Sequence, residues 1–110
     1  MFTINGESWQ VVLVPNNHFM LTRRDGSQSV GACDDPTKTI YISDQIENEL
    51  FKKVLCHEIT HAAMFSYNVD LTIEQEEILA ELIATYGAEI IAITNTIISK
   101  IQNRTMNLYS

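Results

Sequence analysis

Val54-Leu55-Cys56-His57-Glu58-Ile59-Thr60-His61-Ala62 is the stretch on which the reading of this chain turns. Residues four apart on an α-helix lie one above the other, so a helical conformation here brings His57 and His61 to one point in space. Two imidazoles meeting in this way can share a divalent metal ion, and Glu58 between them projects beside that point, where it can hold a water molecule. The flanking pattern predicts a helix from about Asp44 to Ser66. Leu50, Val54, His57, His61, Met64 and Phe65 share one side of a helical wheel, with Phe51, Leu55, Glu58 and Ala62 beside them. Glu49, Lys52, Lys53 and Thr60 take the opposite arc. The two histidines and Glu58 therefore fall in the arc expected to face the core. Buried polar groups need partners, and one cation answers for all three. Asp44 and Glu47 have the spacing of a capping box, with Ser43 as the alternative cap.

A second helix is expected from Thr72 at least to Ile91, opened by a similar pair, Thr72 and Gln75. Two continuations fit the tail: one helix to Arg104, or a break near Thr94-Asn95-Thr96. A hydrolytic metal centre takes a third protein ligand and leaves a fourth position for water. Glu77 aligns with Ile73, Ala80, Ala84, Ala88 and Ile91, a stripe of mostly small residues along which two helices can approach closely. Glu81 lies one turn on, at the margin of the stripe. Glu76 is early in the helix and off the seam, Glu74 is further out, and Glu89 faces away. Glu77 is thus the expected third ligand ahead of Glu81. Glu81 is expected to accept the free ring N–H of His57 or His61, which fixes the tautomer and raises the basicity of the ring.

Before Ser43 the chain is rich in β-branched residues and turn formers. Phe2–Ile4, Asn5-Gly6 and Ser8–Val14 read as a hairpin, because Asn-Gly supplies the two positive φ angles of a type I′ turn. Phe19–Thr22, Val30–Cys33 and Thr39–Ile42 read as further short strands, with turns at Asp25-Gly26 and at Asp34-Asp35-Pro36-Thr37. The expected fold class is α+β, one domain over residues 1–110. A small antiparallel or mixed N-terminal sheet packs on the His57/His61 helix and on the glutamate-bearing helix after it.

Composition narrows the function classes. The formal net charge is −7, which opposes binding to phosphate backbones. The basic residues Arg23–Arg24, Lys52–Lys53, Lys100 and Arg104 form no stripe, so no nucleic-acid partner is expected. Cys33 and Cys56 show no CxxC spacing, suit a reducing compartment and read as packing residues. The N-terminus has no basic region or long apolar run, so it does not read as a signal peptide. Ile78–Ile101 is the most apolar stretch, yet Glu81, Glu89, Asn95 and several Thr would be costly in lipid, so no membrane span is expected. These features point to a cytoplasmic protein of bacterial or phage kind. Trp9 and the isoleucines from Ile90 to Ile101 are expected in the core, a homodimer through the C-terminal helix being the alternative use of those isoleucines.

On these residues the chain resembles the small zincin-like metallopeptidases of bacteria and phages, the group around ImmA/IrrE. The resemblance spans roughly Val30 to Ile91. It rests on a strand at Thr39–Ile42, on His57-Glu58-Ile59-Thr60-His61-Ala62, and on a following helix with Glu77, Ala80 and Ala84. In that family the later Glu of an E-x-x-A pattern is the third zinc ligand, which matches Glu77. Thr60 stands where the family often has Gly, Glu81 where it often has Asn, and the loop from His61 to Glu77 is short. The resemblance implies a zincin-like minimal domain of gluzincin type, with Zn²⁺ held by His57, His61 and Glu77. It implies a zinc-dependent metallopeptidase in which Glu58 is general base toward a metal-activated water. The alternative is a non-catalytic zinc-binding regulatory or interaction protein that retains the site. Intact Glu58 favours the enzyme. Tyr67, Tyr86, Tyr41 and His18 are candidate oxyanion donors, and Tyr67 is the one chosen. A peptide or protein substrate is expected to lie extended along Thr39–Ile42, taken as an edge strand.

Overall fold

The computed structural model describes residues 1–109, and side chains as far as Arg104. The chain runs β1 (Phe2–Ile4), β2 (Glu7–Val14), a 3₁₀ turn (Phe19–Leu21), β3 (Gly31–Asp34), β4 (Thr39–Ser43), α1 (Asn48–Ser66) and α2 (Ile73–Tyr109). It is an α+β arrangement of one mixed four-stranded sheet and two helices. Asn5 and Gly6 both have positive φ, 48° and 78°, so the β1–β2 hairpin closes through the two-residue turn expected of Asn-Gly. Phe2 pairs with Trp9 and Ile4 with Glu7.

The sheet order is β1-β2-β4-β3. β4 runs parallel to β2, from Gln10↔Thr39 to Val14↔Ser43, and antiparallel to β3, from Gly31↔Ile42 to Asp34↔Thr39. The expectation of an edge strand at Thr39–Ile42 is therefore corrected: β4 is hydrogen-bonded on both sides, and the edges are β1 and, beside β4, β3. The physical reason is visible in the burial of β4. Thr39, Ile40, Ile42 and Ser43 are all buried, as a strand covered on both faces requires.

Two further expectations change. Phe19–Thr22 forms no strand of its own; His18 Nδ1 accepts from Met20 N at 3.2 Å and caps a 3₁₀ turn there. The Asp44/Glu47 box does not form either. Asp44 N donates to Val14 O, Ser43 Oγ accepts from Gln45 N, and Glu47 becomes an N-cap without a side-chain bond. The Thr72/Gln75 box does form, with Thr72 N on Gln75 Oε1 at 3.0 Å and Gln75 N on Thr72 Oγ1 at 3.1 Å.

The core centres on Trp9, Ile40, Ile42 and Ala62, with Val54, Phe51, Leu55 and Ile59 of α1 packed against it. Trp9 buries its ring completely, and its indole N–H donates to Ser66 Oγ at 2.8 Å. Asn5 Nδ2 donates to Ser66 O, so the hairpin is tied to the last turn of α1 by two polar bonds. The wheel needs amendment at its rims. Thr60 is buried, its hydroxyl donating to Cys56 O at 2.9 Å, while Leu50 is half exposed.

α2 runs unbroken through Thr94-Asn95-Thr96, where Thr94 and Thr96 return their hydroxyls to Ile90 O and Ala92 O. It is 37 residues long against 19 for α1, so about 27 Å of it extends beyond the length of its neighbour at 1.5 Å per residue. Ile90, Ile91, Ile93, Ile97, Ile98 and Ile101 are accordingly exposed, not core as expected. By length and composition Ile73–Arg104 is apolar enough to cross a membrane, with mean hydropathy 1.4 in its most apolar window and none of that window buried.

Candidate metal centre

The loop between the helices sets the site. α1 ends in a Schellman motif: Asn68 takes the positive φ of 53°, Val69 N bonds Met64 O at 2.9 Å and Asn68 N bonds Phe65 O at 3.1 Å. The chain then reverses, and the first turns of α2 cross the face of α1 that carries His57 and His61. The two rings lie with centroids 5.0 Å apart.

Glu77 spans both rings. Its Oε2 lies 3.2 Å from His57 Nε2 and its Oε1 lies 3.0 Å from His61 Nε2. His57, His61 and Glu77 each offer one ligand atom within 4.8 Å of the others. The remaining ring nitrogens also face acids. Glu76 Oε1 is 2.7 Å from His61 Nδ1, and Glu81 Oε2 is 3.7 Å from His57 Nδ1.

Glu81 is divided between partners. Its Oε1 takes Lys53 Nζ at 2.7 Å and the hydroxyl of Thr85 at 3.2 Å. The Lys53 bond, then that of Thr85, holds its carboxyl below the usual range. Glu81 thus faces His57 Nδ1 at more than hydrogen-bond distance, while Glu76 stands at hydrogen-bond distance from His61 Nδ1. Glu76 lies off the seam on a helical wheel, which shows only angle. Side chains on a helix lean toward its N-terminus, so a first-turn Glu reaches back over the crossing. The usable signal is the pair Glu76-Glu77 itself, which straddles one ring of the facing helix.

The donor set fits a metal ion. Zinc bonds of about 2.0–2.1 Å in tetrahedral geometry put neighbouring ligand atoms about 3.3 Å apart. The observed 3.2 Å from His57 Nε2 to Glu77 Oε2 and 3.0 Å from His61 Nε2 to Glu77 Oε1 are near that spacing, and one ligand atom from each of the three residues falls within 4.8 Å of the others. Charge points the same way. A neutral imidazole has one N–H, so a ring with a carboxylate oxygen at each nitrogen directs one lone pair at an acid. Positive charge between the rings and Glu77 removes that conflict.

Glu58 is no part of the bridge. It is 8% exposed and lies against β3. Burial is the main cause that raises its carboxyl above the ordinary range, opposed by the nearby histidines. Its neighbour is Gly31, where an added Cβ would sit 2.7 Å from Val54 Cγ1 and 3.1 Å from Glu58 Cγ. Gly31→Ala is expected to cost about 1–3 kcal/mol in urea denaturation, the usual penalty for overfilling a packed contact. Adding Val54→Ala should recover most of that loss, since the closest clash is with Val54. A fully additive pair would mean that the two residues do not meet.

A cavity of about 430 Å³ opens over the cluster, lined by His57, Glu58, His61 and Glu77, by apolar residues such as Leu21, Val30 and Leu50, and by Gly31 and Ala32 of the edge strand. Arg23 and Lys53 are the cationic side chains on its wall. Tyr67, Tyr41, Tyr86 and His18 do not line it. Tyr67 is the exposed C-cap residue of α1, and His18 stacks on Phe19 and Tyr41 at 4.7 and 5.5 Å. Arg23, by contrast, lines the cavity. Cys33 and Cys56 are free and half-buried. Burial, with the charge of Glu58 next, pushes the Cys33 thiol up to about 12, which disfavours the thiolate. The chain matches no protein-family model, and no curated protein or solved structure is detectably similar to it.

Proposed function

We propose that the protein is a zinc-dependent metallopeptidase of the zincin-like type. The observation that carries the reading is the convergence of His57 Nε2 and His61 Nε2 on the carboxylate of Glu77, with Glu58 beside them but outside the bridge. A purely structural ion has no use for a buried, unliganded carboxylate next to it. A hydrolytic one does.

Each residue then has a task. His57, His61 and Glu77 would hold the ion, and Glu76 would fix the ring of His61 through Nδ1. A bound zinc ion would supply Lewis-acid polarisation of a peptide carbonyl and lower the pKa of a water beside it. Glu58 would take a proton from a water in the cavity and deliver it to the leaving amine. Its raised affinity for a proton suits both transfers. The substrate lies extended along β3, the edge strand whose Gly31 and Ala32 border the cavity, with a side chain in the apolar part of that cavity. Free Cys33 and Cys56 fit work in a reducing compartment.

The test is proteolysis of an unfolded protein substrate by purified protein loaded with one equivalent of zinc. Cleavage should stop on chelation and return with added zinc. A protein that binds zinc tightly yet cuts no unfolded substrate or peptide library would refute the enzyme and leave a binding protein.

A further inference from the structure

We infer that Arg23 forms a carboxylate-binding subsite in the wall of the cavity, selecting peptides that carry a negative charge next to the bond presented to His57, His61 and Glu77. This rests on the peptidase reading and extends it to a substrate class.

The chain has 14 Asp and Glu against 7 Lys and Arg, so an unspent cation beside the site is uncommon in it. Of the two cations on the cavity wall, Lys53 is neutralised by Glu81 at 2.7 Å. Arg23 forms no ion pair among the described residues. It lines the same cavity as Glu58, His57, His61 and Glu77.

The backbone of Arg23 is held by a closed turn. Arg23 N donates to Ser27 O, Gly26 N donates to Arg23 O, both at 2.9 Å, and Gly26 adopts the positive φ of 85° that the turn needs. The one acid in that turn, Asp25, is engaged by the N–H and hydroxyl of Ser27 at 2.9 and 2.6 Å. On the other side of Arg23, Leu21 is fully buried and anchors the segment. A guanidinium carried on a fixed base, with planar donors and no ion pair within 4.0 Å among the described residues, is suited to bidentate capture of a carboxylate. An acidic protein would otherwise repel such a group. The carboxylate can be an acidic side chain or the C-terminus of a peptide; both present the same two oxygens.

The experiment measures binding without cleavage, on the zinc-loaded Glu58→Gln protein. Three peptides of one sequence are titrated by calorimetry: one neutral and amidated, one amidated with a single Glu, and one neutral with a free C-terminus. At least one acid is expected to bind about tenfold more tightly than the neutral peptide, with the advantage shrinking as salt rises. Arg23→Gln should abolish the advantage and leave the affinity of the neutral peptide unchanged. Which acid gains identifies the source of the carboxylate. Equal binding of all three, or a preference that survives Arg23→Gln, overturns the subsite while the peptidase reading stands. Failure to bind any of the three overturns both.

Discussion

Glu77→Ala should lower zinc affinity about 10²–10³-fold, Glu76→Gln about 10–100-fold, and Glu81→Gln hardly at all. The first figure follows from dividing the roughly 10–16 kcal/mol of apparent zinc binding in a four-ligand site among its ligands. Glu77 earns the largest loss because its two oxygens face both Nε2 atoms, at 3.2 and 3.0 Å. Glu76 touches only the far nitrogen of His61, at 2.7 Å, so it acts by orienting that ring. Glu81 stands 3.7 Å from His57 Nδ1 and spends its other oxygen on Lys53 and Thr85. The three acids lie within two turns of one helix, so a general electrostatic effect of removing one negative charge is similar for all. The ordering therefore isolates direct ligation from field. Competition against a chromophoric chelator, at fixed pH and salt, reads it. An affinity that collapses in Glu81→Gln and survives Glu77→Ala would assign the third ligand to the wrong carboxylate.

What the sequence shows and what it hides divide by range. His57 and His61 are legible because an i,i+4 pair is a local fact of helix geometry. The turn at Asn5-Gly6 and the capping pair Thr72/Gln75 are legible for the same reason: each is satisfied within a few residues. Asp44/Glu47 shows the limit of that rule. Its backbone was claimed by long-range bonds, Asp44 N to Val14 O above all, so the helix begins later. The position of β4 inside the sheet depends on where β2 and β3 arrive, which no window around Thr39 contains. Its successive apolar residues Ile40-Tyr41-Ile42, which do not alternate with polar ones, are nevertheless the available hint. The isoleucines after Ile90 were misread for a similar reason. Their period marks an apolar face, but only the length of α1 decides that nothing in the described chain covers it. The places of Glu76 against His61 and of Arg23 on the cavity wall are not legible, because they come from the meeting of separate segments.

Glu58→Gln is expected to move activity and stability in opposite directions. Loss of a positioned general base removes about 10²–10⁴-fold of rate. Zinc affinity should change little, since Glu58 belongs to neither the bridge nor the Nδ1 contacts. The stability effect comes from burial. The carboxyl of Glu58 is raised in the folded protein, chiefly by desolvation, so folding favours its protonated form. The sign follows from linkage: what the protonated group contributes is fully present below the unfolded glutamate pKa of about 4.3 and is lost as pH rises through the higher folded value. At pH 7 the wild-type chain thus holds a desolvated charge that Gln removes while keeping the shape of the side chain. Metal-free Glu58→Gln should melt above metal-free wild type at pH 7, and the two should converge below about pH 4. Melting curves across that range, beside hydrolysis and zinc titration of the same variant, separate the two roles. A variant that loses activity and also melts lower at pH 7 would mean that Glu58 is a structural partner of β3, and that the lost hydrolysis reflects a disturbed cavity, not a missing base.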